Sequence, residues 1–199
     1  DALRGAVGYA FERPAPLGGT IGGTIGFGPR EAGPERVREA ARAACADGFV
    51  RLLPDGYDTR LTDAPLSGGE AQRLGLARAF THQGRLLVLD DATSSLDTVT
   101  ELRVSEALLG AIGPRTRLIV AHRATTAARA DQVAWLEDGR VRAVGRHEEL
   151  WRLEGYRAVF DADQPQSADD QPERADDDRL HRADDQPHRA DDGGRVSSD

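Results

Sequence analysis

The order of apolar and polar positions predicts alternating strands and helices. Leu3 to Phe11 reads as a short buried strand. "RLLVLDD", Arg85 to Asp91, is a continuous apolar run that stops at two acids, as expected of a strand buried on both faces of a parallel sheet. "TRLIVAH", Thr116 to His122, reads as a second buried strand that stops at a histidine. Between them, Leu102 to Leu109 carries a helical pattern. Glu35 to Ala46 reads as a helix with Val37, Ala40, Ala41 and Ala44 on one face. A further helix runs from Ser67 to about Thr81, and His147 to Phe160 closes the pattern with helix. "VAWLEDGRVRAV" is two strands around Asp138-Gly139, a two-residue hairpin signal. This order argues for an α/β layered domain with a mostly parallel sheet.

Breakers divide these elements. "LGGTIGGTIGFG", residues 17–28, reads as a glycine-rich loop, and Pro54, Asp55 and Gly56 mark a turn. After about Asp161 the composition changes, and "RADD" recurs at 174–177, 182–185 and 189–192. Such a segment buries too little apolar surface to offset its ordering entropy, so 161–199 is expected to be a disordered acidic tail. The organised part is expected over 1–160, with a helical subdomain over about 31–82.

Composition narrows the function. The chain has 199 residues, a net charge of −8 and one cysteine, Cys45. The charge argues against a nucleic-acid partner held by a basic surface. One cysteine excludes an intrachain disulfide or a cysteine zinc site, and Cys45 reads as a half-buried helix residue. The five histidines show no metal spacing, and no apolar run reaches the ~18 residues of a membrane helix. There is no lysine, so the chain holds no lysine of a phosphate-binding loop; there is also no methionine. Because the pattern opens already running into a strand, a fragment with its N-terminal part absent is expected.

Two stretches carry candidate chemistry. In "PLSGGEAQRLGLARAF", Ser67 and Glu70 form a capping box: the hydroxyl accepts from the Glu70 amide, and the Glu70 carboxylate returns to the Ser67 amide. A cap does not explain Gly68 and Gly69, which cost about 1 kcal/mol each against alanine in a helix interior. Bare amides at the positive end of a helix dipole suit an anion. In "LLVLDDATSSLD", a buried strand delivers Asp90 and Asp91 to the carboxyl edge of a sheet, where α/β proteins bind ligands. One carboxylate there suits Mg²⁺ and the next an attacking water. The alternatives are solvated loop acids, and for His122 a satisfied histidine at a strand end.

Together these residues resemble the ATP-binding cassette (ABC) transporter family, over about Leu3 to Phe160. "LSGGE" followed by "AQRLGLARAF" is similar to its signature motif and helix. "LLVLDD" is similar to Walker B, "SSLD" (Ser94 to Asp97) to the D-loop, and "VAHR" to the switch-histidine segment. "GYAFERPAPLGGTIGGTIGFG", "LPDGYDT" and "GRHEEL" resemble the exporter subgroup, in which a transmembrane domain usually precedes the cassette. The resemblance implies a P-loop NTPase-type fold, ATP and Mg²⁺ as ligands, and a second cassette in a head-to-tail dimer at the cytoplasmic face of the membrane. It implies that Ser67, Gly68 and Gly69, with Glu70, serve ATP on that partner and that Asp97 contacts it. Asp90 would serve Mg²⁺ and Asp91 would stand at the catalytic carboxylate. His122 would stabilise the γ-phosphate, and Glu12 would occupy the Q-loop position, also toward Mg²⁺.

The sequence departs from that pattern. Walker A and the adenine-stacking aromatic have no counterpart, Asp91 is one methylene shorter than the usual glutamate, and Glu12 replaces an amide. These departures leave open an alternative: a non-catalytic cassette that only donates its signature to a partner's ATP site. A cassette of DNA repair or translation is disfavoured by the acidic charge and the exporter-like segment. A sheet without a phosphate-loop strand would leave edges and apolar faces uncovered.

Overall fold

The computed structural model describes residues 5–28, 32–110 and 116–161. The expected acidic tail lies outside them, as do Leu3 and Arg4 of the first expected strand. Three strands, β1 (Val7–Phe11), β2 (Leu86–Asp90) and β3 (Thr116–Val120), form one parallel sheet in the order β1-β2-β3. The register pairs Phe11 with Asp90 and Asp90 with Val120, so all three strands end level. Glu12, Asp91 and His122 therefore leave the sheet at one edge.

The helices are α1 (Ile21–Gly26), α2 (Pro34–Ala43), α3 (Asp47–Val50), α4 (Gly68–Thr81) and α5 (Thr98–Leu109), with 3-10 turns at Gly56–Asp58 and Leu61–Asp63. Ala10, Leu87 and Leu89 of the sheet join Ile21, Ile25, Leu74, Leu76, Val50 and Val104 of these helices in one buried core. On α2, Val37, Ala40 and Ala41 are buried as the sequence pattern requires, and Ala44 is buried just beyond its end. The helix α4 lies close over β1 at Gly8, where an added Cβ would meet the Ala79 carbonyl oxygen at 3.3 Å. In α4 itself, Gly75 has the same explanation. Its missing Cβ would stand 2.5 Å from the Pro14 Cβ, so glycine lets the segment after β1 lie against the helix.

Five expectations are corrected. The expected strand Leu3–Phe11 is not buried: β1 starts at Val7, and Tyr9 and Phe11 are exposed. Residues 21–26 of the glycine-rich stretch form a helix: Thr20 caps it by accepting from the Gly23 amide at 3.0 Å, and Ile21 and Ile25 bury on one face. The Arg85–Asp91 run alternates, with Leu87 and Leu89 buried and Leu86 and Val88 only half-buried. Thr116–His122 is not a buried strand: β3 ends at Val120, and Leu118 is 58% exposed. The helices cover one face of β1 and β2, while on β3 Ile119 is also exposed, on the face opposite Leu118. The uncovered face of the sheet shows Tyr9 and Phe11, stacked at 5.8 Å, and, across β2 from them, Leu118 and Val120. Finally, Cys45 is not within a helix. It sits at φ 55° just past α2, where its amide donates to Arg42 and the Ala46 amide to Ala41, a left-handed helix stop.

After β3 come α6 (Ala124–Ala127), β4 (Val133–Glu137), β5 (Arg140–Gly145), α7 (His147–Leu150) and α8 (Glu154–Asp161). The hairpin β4-β5 turns at Asp138 (φ 51°) and Gly139 (φ 70°), both left-handed as a type I′ turn demands. Ala127, Leu150, Tyr156 and Phe160 form a second buried cluster against Trp135 and Val133. No described helix is long and apolar enough to cross a membrane.

Candidate active site at the carboxyl edge of the sheet

The strand ends place two of the sequence-predicted groups in contact. Asp91 follows β2 and His122 follows β3 by two residues. The His122 Nε2 lies 2.7 Å from Asp91 Oδ1. Asp91 has φ 51°, a left-handed backbone that aspartate tolerates better than most residues because its short side chain bonds locally. Nε2 and Oδ1 thus stand at hydrogen-bond distance, a histidine–carboxylate pair at the sheet edge. Asp90 ends β2 with an exposed side chain. Glu12 follows β1, with its carboxylate turned to Arg13 at 3.8 Å, an exposed and weak pair.

The sequence reading missed the group that joins these ends. Gln72, on α4, is buried to 1% exposure. Its Nε2 donates toward the carbonyls of Glu12 (3.2 Å) and Asp91 (3.1 Å) and toward Ser94 Oγ (3.2 Å). Its Oε1 accepts from the Ser95 amide at 3.0 Å. The available signal was a polar residue one turn into the helix, level with buried leucines. Also missed was Glu101, buried on α5. It pairs with Arg123 and accepts from Thr126 at 3.1 Å, while Arg123 donates to the Leu96 carbonyl at 3.4 Å. A carboxylate at that depth needs its cation partner.

At the start of α4 the capping box is complete. Ser67 Oγ accepts from the Glu70 amide at 3.3 Å, and Glu70 Oε2 accepts from the Ser67 amide at 2.8 Å and the hydroxyl at 2.9 Å. The Ser67 amide, then its hydroxyl, hold the Glu70 carboxyl below its usual range. The Glu70 carboxylate is thus engaged in closing the helix start. Gly68 faces open space, whereas an added Cβ on Gly69 would lie 3.4 Å from the Ser95 carbonyl oxygen. Asp97 caps α5 through the Thr100 hydroxyl (2.6 Å) and amide (2.9 Å), which lower its pKa in that order.

Two positions fit phosphate and Mg²⁺, the helix start at Gly68 and the Asp90 carboxylate. The open backbone at Gly68 admits an anion oxygen to the helix start. Asp90 offers hard carboxylate oxygens, suited to a cation that keeps most of its waters. No group of three or more His, Cys, Asp or Glu is gathered for a metal among the described residues.

The geometry agrees with what this chain is similar to. The ABC transporter family profile matches residues 3–94. ABC transporter ATP-binding protein RamA of Streptomyces coelicolor is 66% identical over 162 residues, which are 81% of this chain and 26% of the relative. A multidrug efflux ATP-binding/permease protein of Mycobacterium bovis is 44% identical over 173 residues, 85% of this chain and 14% of the relative. A solved structure of a bacterial Atm1-family ABC exporter with ATP bound superposes with a TM-score of 0.75 at 35% identity. It covers 81% of this chain and 29% of that one. The chain belongs to the ABC transporter family, within its ATP-binding component. It spans about a quarter or less of the length of these curated relatives.

Proposed function

We propose that this chain is part of an exporter-type ATPase that hydrolyses ATP with water to drive a membrane-spanning partner domain between access states. The observation that carries the reading is the 2.7 Å pairing of His122 with Asp91 at the sheet edge. The Asp91 carboxylate takes the proton of the attacking water, and His122 orients that carboxylate. Asp90 holds Mg²⁺, which when bound neutralises charge on the phosphates. Glu12, which follows β1, would be the second carboxylate to serve that ion.

Ser67, Gly68 and Gly69 serve the γ-phosphate held by a second cassette packed head to tail, and Asp97 faces that cassette. This gives the open helix start at Gly68 a ligand. Such an assembly works at the cytoplasmic face of the membrane, without nucleic acid.

The test is phosphate release by the protein at full length, comparing Asp91→Asn with the parent. ATP binding is expected to persist while turnover falls by on the order of 10²-fold or more. Unchanged turnover removes Asp91 from the mechanism and favours the cassette that only donates its signature.

A further inference from the structure

The segments that leave β1 and β2 at the sheet edge meet one side chain. Gln72 is 1% exposed and bonds four groups from the residue after β1, the turn after β2 and the loop that follows. The orientation of its amide is chemically fixed: two of its neighbours are carbonyls, which can only accept, and a third is a backbone N–H, which can only donate. The Asp91 carbonyl is held three times, by Gln72 at 3.1 Å, by the Ser94 hydroxyl at 3.0 Å and by the Ser94 amide at 3.2 Å. That clamp falls on a residue whose left-handed backbone is unfavourable for an L side chain. Strain of this kind persists only where surrounding bonds over-determine it.

We propose that Gln72 is a positioning residue for Asp91. Its carboxamide holds Asp91 in the left-handed turn that aims the carboxylate at His122, and it ties that turn to the helix opened by Ser67. Movement of the helix start is thereby transmitted to the carboxylate, and the Ser95 amide, held by Oε1, follows. This rests on the reading of Asp91 and His122 as the hydrolytic pair. Removing the donor leaves the Glu12 carbonyl without this partner and the Asp91 turn with Ser94 alone. The carboxylate then samples orientations away from His122.

The experiment compares Gln72→Met and Gln72→Glu with the parent and with Asp91→Asn, all at full length. The readouts are steady-state ATP turnover and hydrogen exchange of the backbone over 91–96. Methionine matches the volume and removes both donor and acceptor; glutamate keeps an acceptor for Ser95 but, ionised, cannot donate to the Asp91 carbonyl. Both variants are expected to lose turnover on the order of tenfold to a hundredfold, with the KM for ATP within about twofold. Exchange at Ser95 is expected to speed up in Gln72→Met and to remain slow in Gln72→Glu. Turnover at the parent level in Gln72→Met overturns the inference, as does a loss carried by KM alone or unchanged exchange over 91–96. If Asp91→Asn is inactive and Gln72→Met is not, only the role of Gln72 fails. If Asp91→Asn keeps its turnover, the reading of the site fails with it.

Discussion

The Asp91 carboxylate reaches the His122 imidazole at 2.7 Å from a left-handed backbone. The family's usual glutamate would be one methylene longer, and the left-handed turn offers a different way to deliver the carboxylate. Aspartate suits such a backbone and glutamate does not. Asp91→Glu is therefore expected to lower turnover, on the order of tenfold, rather than raise it. Phosphate release at saturating ATP measures this. A faster Asp91→Glu enzyme would show that the turn is not adapted to the shorter side chain.

The cap on α4 makes a prediction about stability. Ser67→Ala removes the acceptor for the Glu70 amide and is expected to cost about 1 kcal/mol. Thermal melts of the two proteins compare it directly. The pH dependence has a definite sign. Glu70 has its folded pKa depressed below the ordinary glutamate value by the Ser67 amide and hydroxyl. Its contribution is therefore present above that unfolded value and is lost as pH falls through the lower folded value. Glu70→Gln should flatten the acid limb of the melting profile below about pH 4.5.

Gly75 predicts a packing defect. An alanine Cβ there would stand 2.5 and 2.6 Å from the Pro14 Cβ and Cγ. Gly75→Ala gains helix propensity but forces the segment after β1 away from α4. We expect a net loss of about 1–3 kcal/mol, read from denaturant midpoints. A stabilised Gly75→Ala would mean that Pro14 yields easily.

Much of this arrangement was legible in the sequence. The run Leu86 to Asp90, the hairpin at Asp138-Gly139 and the box of Ser67 with Glu70 each rest on local chemistry, and each formed. What sequence missed depends on neighbours. Ile21 and Ile25 make a helix of a glycine-rich stretch because both find a core, which no local rule reports. The strand Thr116–Val120 reads as buried from its apolar residues, yet its exposure is decided by what covers the sheet. Gln72 and Glu101 bond across long chain separations, so their partners are visible only once the sheet brings the strand ends level. The positive φ of Asp91 likewise follows from that closure.

The uncovered sheet face predicts behaviour in isolation. Tyr9, Phe11, Leu118 and Val120 present an apolar surface, and β3 has a neighbour on one side only among the described residues. Residues 1–199 expressed alone are expected to self-associate and to bind a hydrophobic dye. Sedimentation velocity checks this: a monodisperse monomer with a cooperative melt would contradict it.

The central claim is that Asp91 and His122 act as one unit in ATP hydrolysis. A double-mutant cycle on turnover at full length, with Asp91→Asn, His122→Ala and the pair together, addresses it most directly. The account predicts that each single variant loses most of the activity and that the double variant is scarcely worse than either. Independent, multiplying losses, or activity retained in Asp91→Asn, would contradict it.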